Sequence, residues 1–339
     1  MKSFPLPVRL LLINQFGVNT GFYLLIPYLA THLTDDVGMS AATVGVILGV
    51  RTLSQQGLFL IGGTASDRLG PRRVIIVGCG LRTLGFGLFA LGDSVTILLA
   101  ASVLSGLAGA LFNPAVRAYI AVEAKDRRAE AFALFNVYAQ TGALVGPVLG
   151  SVLLLWDFRV SALVAAGIFA ALTVAQAFAL PRRDVEPTTT TVLGDWRECV
   201  ADRRFIAFTL ALTGMFALQN QLYLVLPIAA KKATGSASSV AAVFLVSTVA
   251  TLLFQVRVTR RLSGLPRNRT IALGLAVMGT GFLAPAVTES LAGVLIATVM
   301  LAFGVMIAQP FVYELIPTFG RESLAGTYFG MFYLASGIV

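Results

Sequence analysis

Long apolar stretches recur from one end of this chain to the other, and no other feature constrains its fold as strongly. A helix needs about 20 mostly apolar residues to cross the roughly 30 Å hydrocarbon core of a bilayer. Ten stretches reach or approach that length: Leu10–Thr31, Ala41–Gly63, Val74–Leu91, Thr96–Ile120, Ala131–Trp156, Val160–Leu180, Phe205–Ala229, Val240–Val256, Thr270–Val287 and Leu291–Ile316. An eleventh begins near Leu324. The sequence therefore predicts an all-α integral membrane protein.

Composition excludes a water-soluble fold. Of the 339 residues, 57% are hydrophobic and only 12% are charged, and the mean hydropathy is +0.85. Soluble domains carry about 25% charged residues. A soluble fold could not hide this much apolar surface, and no soluble domain of any size remains between the stretches.

The basic residues are distributed unevenly along the chain. The net charge is +9, and a cytoplasmic N-terminus places most of the Lys and Arg residues in cytoplasmic segments: Lys2, Arg9, Arg68, Arg72, Arg73, Lys125, Arg127, Arg128, Arg182, Arg183, Arg197, Arg203, Arg204, Arg257, Arg260, Arg261, Arg267, Arg269 and Arg321. Only Arg159, Lys231 and Lys232 fall outside the membrane on the opposite side. Because positive loops stay inside, this pattern predicts a cytoplasmic N-terminus and argues against a nucleic-acid partner.

One long polar stretch, from Pro181 to Arg204, interrupts the apolar pattern. It divides the chain into an N-terminal half over residues 1–180, a linker over residues 181–204 and a C-terminal half over residues 205–339. Trp196 and Val200 lie four residues apart, as on an interfacial amphipathic helix. A linker that merely tethers the two halves explains the stretch equally well.

The two halves repeat a pattern in their first and fourth spans. The segment from Tyr23 to Ala30 aligns with that from Tyr223 to Ala230, and Asn19 then aligns with Gln219. Asn113-Pro114 and Gln309-Pro310 form a second matching pair. Many transporter folds are duplications of a six-span unit. The repeat predicts two related halves with proline bends at Pro27, Pro114, Pro227 and Pro310.

Ionisable residues inside a span are functional candidates by default, because they are costly in hydrocarbon without a partner. Arg51 and Arg82 lie deep in the second and third spans, and no deep carboxylate accompanies them. They indicate either a cavity for anionic or zwitterionic groups or structural pairing with helix C-termini. Neutral candidates for a shared substrate cavity are Asn19, Tyr23, Gln55, Asn113, Gln219, Tyr223 and Gln309, although such residues also bond neighbouring helices.

The turn after the second span reads Gly63-Thr-Ala-Ser-Asp67-Arg68-Leu-Gly70-Pro-Arg72-Arg73. It resembles the G-x-x-x-D-R-x-G signature loop of the major facilitator superfamily. The resemblance implies a major facilitator fold of two pseudo-symmetric six-helix halves and a latch that holds one conformation. In that latch Asp67 would meet the N-terminus of the eleventh helix near Ser323, and Arg72 or Arg73 would pair with Glu123.

The fifth span carries Gly142-Ala-Leu-Val-Gly146-Pro147-Val-Leu-Gly150. This segment resembles the G-x-x-x-G-P-x-x-G motif of drug:proton antiporters, which is associated with export. Generic small-residue packing is the alternative. The chain as a whole looks most like bacterial MdtH-type multidrug transporters, in the strings Arg51-Thr-Leu-Ser-Gln-Gln-Gly57, Leu-Ser105-Gly106-Leu and Asp157-Phe-Arg159.

The resemblance implies proton-coupled export of amphipathic small molecules or drugs by alternating access. Ser102 stands where antiporters of this group usually carry arginine, so the candidates for proton coupling are Asp67 and Glu314. The alternatives are a symporter or facilitator that imports a small solute, and a lipid-moving or receptor protein on the same scaffold.

Enzyme chemistry has no signature here. The chain has one histidine, and it lacks an H-E-x-x-H, a G-x-S-x-G and a phosphate-binding loop. We therefore expect no catalytic residues, no metal and no cofactor. The expected partners are a small-molecule substrate, protons and membrane lipid. We expect a monomer in the bacterial inner membrane. Because the family has twelve spans and this sequence stops within the eleventh, we expect the native chain to continue beyond Val339.

Overall fold

The computed structural model describes residues 4–181, 190–236 and 238–337. These residues form helices joined by short connections, and no strand occurs among them. The α-helices are α1 (Leu6–Thr31), α2 (Ala41–Gly57), α3 (Phe59–Leu69), α4 (Pro71–Leu91), α5 (Val95–Glu123), α6 (Arg128–Leu153), α7 (Phe158–Ala179), α8 (Val192–Ala201), α9 (Arg203–Asn220), α10 (Val225–Thr234), α11 (Ser238–Leu262), α12 (Arg267–Gly281), α13 (Leu283–Val287), α14 (Leu291–Leu315) and α15 (Ala325–Ser336).

The ten predicted spans are confirmed as helices of membrane-crossing character. Within the described residues nine helical segments are long and apolar enough to cross a membrane, and α2 with α3 forms a tenth that is bent by 45°. The bend was not predicted, because the sequence shows no proline there. It follows Gly57, at which the helix lacks a Cβ and is weakened. The expected cations Lys2, Arg182 and Arg183 lie outside the described residues.

Proline acts differently in the repeated spans. Pro27, Pro114 and Pro310 lie inside continuous helices, namely α1, α5 and α14. Pro227 instead lies in the first turn of α10, after a turn that separates α9 from α10. The predicted bend at Pro227 is therefore a break. The ring of a proline clashes with the carbonyl four residues earlier, here that of Tyr223, and this favours a helix start near that position.

The chain divides into two compact units. The first comprises Met1–Ala124, Thr141–Ile206 and Ile316–Ile338, and the second includes Lys125–Gln140 and Ala207–Leu315. In the first unit α4 packs on α5 and α7, α2 packs on α5, and α3 packs on α15. In the second unit α14 is the central helix, with α10, α11, α12 and α13 packed on it.

The core of the first unit contains aromatic and small side chains. Phe86 lies against Phe169 with ring centroids 4.8 Å apart, and Phe112 and Phe169 are fully buried. Small residues along α5, such as Gly106 and Gly109, bring the backbone of α5 close to Arg51 and Gln55 of α2. Since lipid tails are as apolar as these side chains, close packing supplies the attraction between the helices.

The glycines of the fifth span form one face of α6 in the first unit. Gly142, Gly146 and Gly150 lie directly on the backbone of α1. A Cβ at Gly146 would lie 2.8 Å from the Thr20 carbonyl oxygen and 2.9 Å from the Cβ of Tyr23. Next to this face, the Tyr28 hydroxyl donates a hydrogen bond of 2.7 Å to the Pro147 carbonyl. The motif therefore holds α6 against the helix that carries Asn19 and Tyr23.

We predict that Gly146→Ala lowers the thermal stability of the purified protein, because the added methyl group overlaps α1 and overpacking costs about 1–3 kcal/mol. Gly167→Ala is the matched control, since a Cβ at Gly167 meets nothing within 4 Å. The control should keep or slightly raise the melting temperature, because alanine favours a helix over glycine. Size-exclusion profiles after heating measure both variants. Equal melting temperatures would contradict the close contact.

Candidate functional site

A buried polar cluster joins α3, α8 and α15 in the first unit, and Asp67 lies at its centre. The Asp67 carboxylate accepts hydrogen bonds from the backbone N–H groups of Gly326 at 2.8 Å and Thr327 at 2.7 Å. The Thr327 hydroxyl donates a third bond of 2.7 Å. These donors belong to the first turn of α15, whose N–H groups have no partners within the helix. A carboxylate at a helix N-terminus also interacts favourably with the helix dipole.

Two glycines allow this contact. A Cβ on Gly63 would overlap the carbonyl of Gly326, and one on Gly326 would lie 2.6 Å from Oδ1 of Asp67. The backbones of α3 and α15 therefore approach closely enough for a short side chain to reach the N-terminus of α15. The helix begins at Ala325, after a short turn over Glu322–Leu324, so the predicted start near Ser323 is two residues early.

The next residue of the loop, Arg68, binds the linker helix. Its Nη2 lies 2.6 Å from Oδ2 of Asp195 and donates to the Thr190 carbonyl oxygen at 2.7 Å. Asp195 is only 1% exposed, so this is a buried ion pair. Its other oxygen accepts a bond of 2.6 Å from the Thr190 hydroxyl. The paired charge and the extra bonds offset the loss of hydration.

The linker segment forms a packed helix over its described part. Thr191 caps α8 by accepting a bond from the Gly194 N–H, and the Trp196 Nε1 donates to the Thr64 hydroxyl at 2.8 Å. Trp196 is half-buried and Val200 is 56% exposed, whereas Asp195 and Cys199 are buried. The predicted contact of Trp196 and Val200 with the membrane interface stays a prediction, and the buried face of the helix carries the ion pair with Arg68.

Further charges join α8 to the segment before α15. Arg321 binds Glu198 with two hydrogen bonds, of 3.1 and 2.7 Å, and its Nη2 lies 4.0 Å from Asp195. These hydrogen bonds raise the pKa of Arg321 above its usual range. Sequence reasoning missed Asp195, Glu198 and Arg321 as members of the cluster. The acids of the linker were visible in the sequence, but their partners are distant along the chain.

The remaining residues of the loop have structural contacts. Gly70 adopts a positive φ of 88°, which favours glycine, and so permits the turn between α3 and α4. Arg72 donates to the carbonyl oxygens of Leu180, at 2.6 Å, and Ala177. Arg72 therefore caps the last carbonyls of α7, which lack helical partners, so of the two predicted alternatives the one in which Arg72 pairs with Glu123 is wrong. Arg73 is exposed.

Two polar candidates of the first unit, Tyr23 and Gln55, lie near Arg51. Its guanidinium lies 5.2 Å from the centre of the Phe22 ring, and Phe22 in turn contacts Tyr23 at 5.2 Å between ring centroids. Gln55 lies 3.4 Å from Nη1 of Arg51. Asn19 accepts a bond of 2.8 Å from Gln15. The structure thus brings α1 and α2 together at Arg51.

Arg82 is buried deeper, with 6% of its surface exposed. Its guanidinium lies 5.1 Å from the Phe112 ring and 5.6 Å from the Phe169 ring. Within the described part of the chain it forms no ion pair. The other first-unit candidate, Asn113, accepts a bond at its backbone carbonyl from Arg117, at 3.1 Å.

Three candidates belong to the second unit. Gln219 is half-buried, Tyr223 is 61% exposed, and Gln309 donates a bond of 3.2 Å to the Tyr313 hydroxyl. Glu314, a candidate for proton coupling, is paired with Arg267 at 2.9 Å. Asn136 donates to Gln255 at 2.8 Å, and Gln255 reaches the Met306 carbonyl, so a further polar network connects α6, α11 and α14.

No cluster of His, Cys, Asp or Glu able to hold a metal occurs in the described residues. Cys79 and Cys199 are both free and buried. Burial raises the pKa of the Cys199 thiol to about 12, and the charges of Glu198, Asp67 and Asp195 act in the same direction. The Cys199 thiol therefore stays protonated and unreactive at neutral pH.

The model of the Major Facilitator Superfamily matches residues 11–339 of this chain. The chain belongs to the major facilitator superfamily. An uncharacterized MFS-type transporter of Mycobacterium tuberculosis is 41% identical, over 99% of this chain and 84% of that protein. The multidrug resistance protein MdtH of Proteus mirabilis is 30% identical, over 94% of this chain and 80% of that protein.

The fold agrees with this assignment. FucP, a major facilitator transporter solved in the outward conformation, superposes with a TM-score of 0.80 at 16% identity, over 99% of this chain and 90% of FucP. This protein therefore has the major facilitator fold expected from the loop at Asp67 and is a membrane transporter.

We predict that Asp67→Asn leaves this transporter in the membrane but slows its transport of substrate. The substitution removes the charge at the N-terminus of α15, an interaction of about 0.3–2 kcal/mol that shifts a balanced conformational equilibrium several-fold. Initial transport rates at equal protein abundance measure the effect. Asp35→Asn is the control, because Asp35 is exposed. An unchanged rate in Asp67→Asn would exclude a role in the conformational balance.

A second prediction separates the two acids of α8. Asp195→Ala should reduce stability by about 3–5 kcal/mol, because it leaves the half-buried Arg68 without its buried partner. Glu198→Ala removes an exposed partner of Arg321 and should cost about 0.2–1 kcal/mol. Thermal unfolding in detergent compares the two variants. If Glu198→Ala lowers the melting temperature as much as Asp195→Ala, the buried pair is not a principal contact of α8.

Proposed function

We propose that this transporter exports amphipathic small molecules, including drugs, in exchange for protons. The observation that carries the proposal is the contact of the Gly142–Gly150 face of α6 with α1. This face resembles the motif of drug:proton antiporters, and it lies against the span that carries Asn19 and Tyr23. The 30% identical relative from Proteus mirabilis, whose name describes it as a multidrug resistance protein, supports the same substrate class.

We propose that transport follows alternating access, in which the substrate cavity opens in turn to each side of the membrane. In the first unit Asn19, Tyr23, Arg51 and Gln55 contact the substrate, and in the second unit Gln219, Tyr223 and Gln309 are the corresponding candidates. Asp67 acts as a latch, because its bonds to the N-terminus of α15 can be made in one conformation and lost in another. An interaction present in only one of two states shifts the balance between them.

Proton coupling requires a carboxyl group whose pKa differs between the two conformations. We propose Asp67 as the first candidate and Glu314 as the second. Asp67 has three hydrogen-bond donors on α15, and their loss in another conformation would change its affinity for a proton. Glu314 would need to separate from Arg267 for the same effect.

We place the transporter in the bacterial inner membrane with its N-terminus in the cytoplasm and as a monomer. The asymmetry of the basic loops supports this orientation. The residues of the Asp67 loop, with Arg68, Arg72 and Arg73, then face the cytoplasm. Import by symport or facilitation is the competing function.

Purified protein in liposomes tests the proposal. We predict that an imposed pH gradient drives uptake of a fluorescent amphiphile, either ethidium or anilinonaphthalene sulfonate, against the direction of proton flow. A protonophore should abolish the accumulation, and Asp67→Asn should reduce it. Equal fluxes with and without the gradient would reject proton exchange and favour a facilitator. Substrate movement in the same direction as the protons would favour a symporter.

A further inference from the structure

Arg51 is a cation without a charge partner in the part of the chain that the structure describes. Its long contacts, 3.4 Å to Gln55 Oε1 and 3.3 Å to Thr52 Oγ1, are at the limit for hydrogen bonds. Its Nε is buried and has no hydrogen-bond partner among the described residues. No carboxylate of the described chain lies within 4.0 Å of its guanidinium. An arginine cannot release its proton in a protein, so Arg51 remains a positive charge with unused donors.

A row of aromatic rings connects Arg51 to the second deep cation of the first unit. Arg51 lies over Phe22, and Phe22 is 6.3 Å from Phe86 between ring centroids. Phe86 is 4.8 Å from Phe169, which lies under Arg82. Arg82 likewise has no acidic partner in the described residues. Two positive charges thus lie on one aromatic surface, and no carboxylate of the described residues is paired with either of them.

Aromatic faces do not replace a counter-ion. A cation–π contact contributes about 0.5–2 kcal/mol, whereas charged groups within a membrane normally pair with one another or face a water-filled cavity. Arg51 is half-buried, and Tyr23 packs edge-on against the same Phe22 ring. The site therefore offers a guanidinium, a hydroxyl and an aromatic ring, but no carboxylate of the described residues that could neutralise a cationic ligand.

We propose that Arg51 binds the anionic group of the transported substrate, and that the aromatic part of the substrate lies against Phe22. This inference rests on the proposed function and specifies the charge of the compounds: amphipathic aromatic anions such as carboxylates. Arg82 is a positioning residue, which adds positive potential beneath the aromatic row. Purely cationic amphiphiles would meet two positive charges in this part of the first unit and, among the described residues, no carboxylate.

Equilibrium binding to the full-length purified chain tests the charge preference without any gradient. The probes are naphthoate, naphthamide and naphthylmethylammonium, which share one ring system and differ in charge. Wild type should bind naphthoate roughly tenfold to a hundredfold more tightly than naphthamide, because a hydrogen bond to a charged group contributes more than a neutral one. Naphthylmethylammonium should bind most weakly.

Three variants locate the effect. Arg51→Gln should remove the preference for naphthoate over naphthamide, and Arg51→Lys should keep only part of it, since an ammonium lacks the planar fork of arginine. Arg257→Gln, which removes an exposed cation of α11, should leave the preference unchanged. Size-exclusion profiles identify folded variants. If Arg51→Gln does not fold, the wild-type series and Arg51→Lys decide.

The inference is wrong if wild type binds the three probes equally or binds none of them. It is also wrong if the preference for naphthoate survives in folded Arg51→Gln, or is unchanged in Arg51→Lys. These results are independent of the proton-exchange experiment, because binding requires no coupling. A transporter that lacks proton exchange but prefers naphthoate through Arg51 would overturn the proposed coupling and leave the anion site in place.

Discussion

Hydrocarbon offers no water to a backbone N–H or C=O group, so each group must find its partner inside the protein. Helices satisfy all groups except those at their ends, and the arrangement of this chain depends on how those ends are satisfied. Asp67 accepts bonds from the first turn of α15, and Arg72 donates to the last carbonyls of α7. The signature loop therefore connects the ends of helices that are far apart in sequence.

Charged side chains in hydrocarbon also need partners, and the two deep arginines differ in this respect from the charges of α3 and α8. Arg68 of α3 is paired with Asp195 of α8, and Glu198 of α8 is paired with Arg321. Arg51 and Arg82 lie against aromatic rings and have no acid among the described residues. Unpaired charges are expensive in a membrane protein and are kept where they have a function. The contrast between the paired and unpaired cations distinguishes the proposed latch from the proposed substrate contact.

Much of the architecture could be predicted from the sequence. Hydropathy located all ten spans, because the length and composition of a span are set by the bilayer and depend little on neighbouring helices. The breaks were harder to predict. The bend after Gly57 has no proline to indicate it, and Pro227 lies in the first turn of a new helix where the sequence predicted a bend within one. Among the candidate residues, the contact of Asp67 with the eleventh span came from a family resemblance, and the structure gives its donors as Gly326 and Thr327.

The sequence by itself determined the class of protein, the positions of the spans and the presence of two deep arginines without a deep acid. Only the tertiary structure decided which groups meet. In the linker helix Asp195 is buried and paired with Arg68, while Val200 is exposed. Arg72 binds the end of α7 and not Glu123. The physical reason is that apolar periodicity records a preference for burial, whereas an ion pair requires two specific atoms to come within hydrogen-bond distance. That distance depends on helix packing, which sequence spacing does not specify.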